Sequence, residues 1–299
     1  MTNSNLFLLK RSVDLSLLTD GFHIPTEFQP LVYGLMGREM THGENREVKI
    51  IIGGDTFYVK LYNINFNQTR YPGHPDLLQI RYTANSPIAK RLQAIYAKEY
   101  NYLIEQRKVV GPRKQIHLPE NNDAEIVFYG TMASDVFVME CKLSGESIGL
   151  KEELKRLSEE EFESFVPRHD EGTGIREISR IQRIRQLDRS IGDSLKRLYG
   201  YRCQMTGEYI GQEQGVFVVE AHHIDPFTKS MNNDTSNILI LSPNYHRIVH
   251  KANPEFRRSD LSFVFPNGLT EKVKLNLHLT NKRTGGTNEH GTVFRSHSF

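Results

Sequence analysis

The stretch Glu220-Ala221-His222-His223-Ile224-Asp225-Pro226, followed by Asn237-Ile238-Leu239-Ile240-Leu241 and Tyr245-His246-Arg247-Ile248-Val249-His250, decides how the C-terminal part of this chain reads. His246 and His250 stand at i and i+4, so on a helix they share one face and can take adjacent positions on one metal ion. Upstream, Val216-Phe217-Val218-Val219 is an apolar, β-branched and aromatic run that reads as a strand ending at His222 and His223. Neighbouring side chains on a strand face opposite sides. One of the two imidazoles therefore joins the metal while the other faces a substrate. Three imidazole ligands with an open position make a catalytic site rather than a closed structural one. The remaining imidazole titrates near neutral pH and can act as a general base on water. Asn237 lies between the two metal-binding pieces, where its amide can hold the base imidazole in one tautomer.

In this order and context, residues 195–280 resemble the HNH nuclease family, the ββα-metal fold. Carried over position by position, the resemblance implies that His222, His246 and His250 bind the metal, that His223 is the general base, and that Asn237 orients it. It implies one divalent ion, magnesium or manganese, with zinc, nickel and cobalt as alternatives because three imidazoles favour borderline metals. It also implies attack of an activated water on the scissile phosphate, leaving 5′-phosphate and 3′-hydroxyl ends. Many members carry two Cys pairs around a structural zinc. Here Cys203 stands where the first pair would begin, but Thr206, Ser242 and Tyr245 occupy the partner positions, so no structural zinc is expected. Apolar packing by Tyr245, Ile238, Leu239 and Ile240 is expected to hold the region instead. A rival reading builds a structural zinc site from Cys203, His222, His246 and His250 in a non-catalytic DNA-binding regulator, and leaves His223 without a role. A homing-type nicking nuclease is the other alternative.

The rest of the chain reads as an α+β protein: a mostly β N-terminal domain, with a pseudobarrel as its candidate architecture, and the C-terminal ββα-metal module. Residues 1–147 form the expected DNA-recognition domain, 148–174 a charged helix and linker, 175–283 the nuclease module with a basic entry helix, and 284–299 a flexible tail. Val48-Lys49-Ile50-Ile51-Ile52, Gly53-Gly54-Asp55 and Thr56-Phe57-Tyr58-Val59-Lys60-Leu61 carry a hairpin signature. The loop from Asn65 to Pro75 offers Arg70 and Tyr71 for phosphate contact and base stacking, or is an ordinary solvated loop. Residues 86–110 read as one helix, with Ser86 or Asn85 as its cap and Ile88, Leu92, Ile95 and Tyr96 on one face. Arg81, Lys90 and Arg91 begin a basic stretch that is the candidate DNA-facing patch of this domain. Glu140-Cys141-Lys142 matches the Glu-x-Lys of a different nuclease fold, but an edge strand accounts for it as well. Arg183 belongs to the basic flank of the entry helix, whose apolar face runs through Ile178, Ile181, Ile184, Leu187, Ile191, Leu195 and Leu198. Arg247 sits between the two helical histidines. Leu261 to Phe265 and Val273 to Leu277 are expected to close the module as a hairpin.

At 299 residues, the length suits about two domains. The net charge of +2 does not by itself suggest nucleic acid, so any charge argument is local. Two cysteines far apart and no signal-peptide pattern at Met1 to Asn5 point to a reduced, cytoplasmic setting without membrane contact. The expected activity is that of a restriction-type, site-specific DNA endonuclease, directed at specific or modified double-stranded DNA. One site per chain implies a homodimer or two successive nicks, and a cognate methyltransferase is a candidate partner.

Overall fold

The computed structural model describes residues 6–66, 76–111, 114–145, 175–230 and 232–279, with residues 175–186 and 228–229 described by their backbone alone. The expected charged helix over 148–174 and the expected tail over 284–299 lie outside the described residues, as do Arg70 and Tyr71. The fold is α+β. Seven strands, β1 (Leu6–Ser12), β2 (Gly21–His23), β3 (Asn45–Ile52), β4 (Asp55–Asn63), β5 (Leu78–Arg81), β6 (Glu125–Gly130) and β7 (Val136–Lys142), form one curled sheet. Their order is β1-β6-β7-β3-β4-β5-β2, antiparallel except where β3 runs parallel to β7. Helices α1 (Leu15–Thr19), α2 (Gln29–Met36), α3 (Pro87–Ile95) and α4 (Ala97–Val110) accompany it. The β3–β4 hairpin follows from alternation: Val48, Ile50 and Ile52 are buried on one face while Lys49 is exposed on the other. Gly53 and Gly54 both take positive φ, as the two-residue turn requires.

Two local expectations are corrected here. The helix expected over 86–110 is broken at Tyr96, which leaves helical geometry with φ −104 and ψ 42. Its ring is fully buried and its hydroxyl donates to the Glu125 carbonyl at 2.7 Å, so the chain turns to satisfy both. The strand carrying Glu140 and Lys142 is not at an edge but lies between β6 and β3. There Lys142 pairs with Glu125 across the β6–β7 ladder at 3.0 Å, and Glu140 accepts from Tyr129 at 3.2 Å. These are cross-strand pairs, and they use the groups that the Glu-x-Lys reading needs.

The second half begins with α5 (Ile175–Leu198), then β8 (Glu220–His223), α6 (Phe227–Ser230), β9 (Ile238–Leu241), α7 (Pro243–Ala252), and the three-stranded sheet β10 (Glu255–Arg257), β11 (Ser262–Val264) and β12 (Thr270–Lys272). Val216 to Val219 do not form a strand. Val216, Phe217 and Val218 are exposed, Phe217 stacks on Tyr201 with centroids 4.2 Å apart, and pairing starts only at Glu220, opposite Leu241. The closing hairpin is shifted too: β12 is Thr270–Lys272, and the backbone N–H groups of Lys274 and Leu275 instead donate to the Gln204 carbonyl at 2.9 and 3.0 Å.

The entry helix joins the two halves. Leu187, Ile191 and Leu195 are buried in the same apolar cluster as Phe7, Leu8 and Val32 of the first half and Ile238 and Ile240 of the second. Gly192 lets α5 lie close on β8, since a Cβ there would stand 3.0 Å from the Ala221 Cβ. Lys10 adds a polar link, donating to the Asn233 side chain at 2.8 Å. A separate cluster of Cys203, Met205, Leu239, Leu241, Tyr245, Val249, Phe263 and Phe265 packs beneath α7. Behind β9, buried His278 donates from Nε2 to the Ile238 carbonyl at 2.9 Å and accepts from the Tyr199 hydroxyl at Nδ1 at 2.6 Å.

Two measurements test this packing. Ile191→Ala removes a fully buried side chain shared by both halves, and should lower the unfolding free energy by about 2–5 kcal/mol in urea titration. An unchanged midpoint would show that α5 is not part of the core. For His278, burial holds the imidazole down at about 4, from an ordinary 6.5, although the hydrogen bond to the Ile238 carbonyl acts the other way. Between those values the unfolded chain binds a proton that the folded chain does not. Stability should therefore fall as pH drops through this window, with a slope from this group of at most about 1.4 kcal/mol per pH unit. Thermal midpoints measured across the window should fall less steeply for His278→Gln than for the parent. Equal slopes would place the titrating group elsewhere.

Candidate metal centre

The α7 helix is built to hold two histidines. Ser242 caps it, its hydroxyl accepting from the Tyr245 N–H at 3.3 Å, Pro243 occupies the first turn, and Asn253 ends it with a left-handed φ of 47. Val249 and Tyr245 bury one face. On the neighbouring stripe His246 and His250 approach each other, Nε2 to Nε2, at 3.0 Å. From β8, His222 meets both, with ring centroids 5.1 Å from His246 and 5.0 Å from His250. One ring nitrogen from each of the three lies within 4.8 Å of the others. Glu220 stands two residues before His222, on the same face of the strand, and its carboxylate accepts from His246 Nδ1 at 2.6 Å. That bond places the proton on Nδ1 and turns the Nε2 lone pair toward the other two rings. Burial holds the His246 imidazole below its ordinary value. The Glu220 hydrogen bond opposes this, and the charge of His250 adds to it. A neutral imidazole is the form that binds a cation.

The next residue, His223, points to the other side of β8. It is 8 % exposed, and its Nε2 meets the Asp188 carboxylate of α5 at 2.9 Å. Asn237 differs from expectation. It ends a 3-10 turn, Thr235–Asn237, and its amide closes the preceding loop. Its Oδ1 accepts from the Asp225 N–H at 2.9 Å, and its Nδ2 donates to the carbonyls of Asp225 at 2.9 Å and Asn232 at 2.8 Å. The tight turn leaves these backbone groups needing partners, and the buried amide supplies them instead of holding the imidazole. Arg258 braces the same loop, donating to the Ser236 carbonyl at 2.9 Å and pairing with Asp225 at 2.8 Å.

No family model, curated protein or solved structure matches this chain. Three ring nitrogens converge with a carboxylate fixing one tautomer, and this set fits a divalent cation of borderline hardness such as zinc, nickel or cobalt. Cys203 is not among the converging donors. It is fully buried in the apolar cluster, with its N–H bonded to the Glu208 carbonyl at 2.9 Å. Ser242 caps α7, and the Tyr245 hydroxyl donates to Glu271. The expected packing residues Ile238, Leu239, Ile240 and Tyr245 are all buried.

The expected DNA contacts are spread over the surface. Arg81 is exposed on β5 with its guanidinium 5.2 Å above the Tyr62 ring, Lys90 is exposed on α3, and Arg91 lies 3.3 Å from Asp55. Arg247 is exposed on α7 beside the centre, and Arg183 lies on α5 where only the backbone is described. Sequence reasoning missed Glu220 and Asp188. Glu220 was readable from the period of two, being on the His222 face of the same strand. Asp188 gave no such signal, because only the packing of α5 on β8 brings it to His223.

Calorimetric titration of metal-free protein with nickel or zinc should show one ion bound per chain. His250→Ala should abolish the binding, and Glu220→Gln should weaken it by about 10–100-fold. Parent-like affinity in His250→Ala would rule the centre out.

Proposed function

We propose that this chain is a metal-dependent DNA endonuclease that hydrolyses phosphodiester bonds to 5′-phosphate and 3′-hydroxyl ends. The observation that carries the reading is the division of labour at β8. His222 turns to His246 and His250, and His223 turns the opposite way to a carboxylate. A structural site needs one closed set of ligands. Here a fourth imidazole is held separately, on its own acceptor, next to the set. His222, His246 and His250 would hold the cation, which when bound supplies positive charge to the scissile phosphate and the leaving 3′ oxygen. His223 takes a proton from the attacking water. Glu220 keeps His246 in the ligand tautomer, and Asn237 with Arg258 shapes the loop that ends β8. The exposed Arg247, next to His246 on α7, is available to a phosphate. Restriction-type site choice by the first half, on specific or modified double-stranded DNA, completes the proposal, with a homodimer serving two strands.

The rival built on a structural zinc lacks its fourth ligand, because Cys203 does not join the three imidazoles. Plasmid DNA incubated with purified protein and magnesium or manganese should be cut. His223→Ala should lower the rate by about 10²–10⁴-fold without loss of fold. Comparison of unmethylated with cytosine-methylated plasmid reads out any dependence on a modified base. DNA binding without cutting under every divalent ion would reject the nuclease reading.

A further inference from the structure

Asp188 has no place in the His-His, Asn and His-x-x-x-His pattern, yet it holds His223, the proposed base. It lies on α5 directly after the buried Leu187, at the border of the helix's apolar face. Its side chain is 21 % exposed against 6 % for His223, so the bond between them, at 2.9 Å, is largely shielded from water. A carboxylate only accepts, so this contact keeps a proton on Nε2 and leaves the basic lone pair of a neutral ring on Nδ1. Ring orientation and proton position are the two properties a base imidazole must have fixed before it meets its water. An aspartate behind a histidine fixes both in unrelated hydrolases. The expected holder, Asn237, is engaged with backbone groups of its own loop.

We infer that Asp188 is the positioning residue of the hydrolytic reaction, acting through His223. The inference rests on the nuclease reading of the preceding section. It also makes the entry helix part of the site: α5 packs on β1 and α2 as well as on β8, so the strut that joins the two halves carries the group that aims the base.

A purely structural Asp188 would satisfy a buried imidazole and nothing more, so the test must separate rate from stability. Plasmid cleavage with manganese is measured for the parent, Asp188→Ala, Asp188→Asn, His223→Ala and the Asp188→Ala/His223→Ala pair, with thermal midpoints for each. Asp188→Ala should lower kcat by about 10–100-fold with KM within about twofold. Asp188→Asn keeps an acceptor oxygen of the same size and should recover part of kcat. In the His223→Ala background, Asp188→Ala should change the residual rate no further, because the two act as one unit. A second readout needs no cleavage: ring-nitrogen NMR of the metal-free protein should show the His223 proton on Nε2 in the parent and on both nitrogens in Asp188→Ala. Parent-like kcat in Asp188→Ala, an equal loss in the His223→Ala background, or a loss explained by a lowered midpoint would overturn the assignment. If the parent cuts and His223→Ala does not, that failure belongs to Asp188 alone. If the parent cuts nothing, the nuclease reading falls and takes this inference with it.

Discussion

Burial of one face of α5 is the constraint on which the rest depends. Leu187, Ile191 and Leu195 are covered from one side by the seven-stranded sheet and α2, and from the other by β8 and β9. The two-stranded β8–β9 ladder is too small to be stable by itself. It is held because Ile238 and Ile240 enter the cluster that α5 organises. Away from that face Arg189 and Arg197 are exposed, as an amphipathic helix requires.

From that packing the chemistry is sorted by the pleat. Along β9, Ile238 and Ile240 face α5, whereas Leu239 and Leu241 face the cluster beneath α7. Along β8, His222 is paired with Leu239 and His223 with Ile238, so each imidazole inherits the side of its partner. A slip of one residue in this ladder would send His222 to Asp188 and His223 to the α7 histidines. The four consecutive buried aliphatic residues of β9 are apolar on both faces because both faces are covered.

Much of this was legible. The i, i+4 spacing of His246 and His250, the opposite facing of His222 and His223, and the β3–β4 hairpin follow from period and turn chemistry alone, and the structure places them so. The failures have a common cause. Val216 to Val219 have strand composition, but a strand needs a partner, and β9 is long enough to pair only Glu220 to His223. Tyr96 fits the helical stripe by spacing, yet its hydroxyl finds the Glu125 carbonyl and ends the helix. Asn237 and Asp188 exchanged the part that sequence order suggested for one of them. An asparagine close in sequence was captured by backbone groups of its loop, and an aspartate far upstream was delivered by helix packing. Local pattern carries no information about either event.

The surroundings of Cys203 and of the start of α7 bear on how the candidate centre is held. A structural zinc nearby would fix the turn at Cys203 and the start of α7 by covalent geometry. Here the same two points are fixed by the Ser242 cap, the contact between Tyr245 and Glu271, and a thiol buried among Leu239, Leu241 and Phe263. These interactions give the helix its position without using a metal ligand. The three imidazoles converge on the adjoining face, and Cys203 stays in the apolar cluster apart from them. With the His246 proton held on Nδ1 by Glu220, the His250 Nε2–H donates to the His246 Nε2 lone pair at 3.0 Å, and one proton satisfies the pair. A cation would take the place of that shared proton, on the lone pair that the Glu220 contact leaves on His246 Nε2.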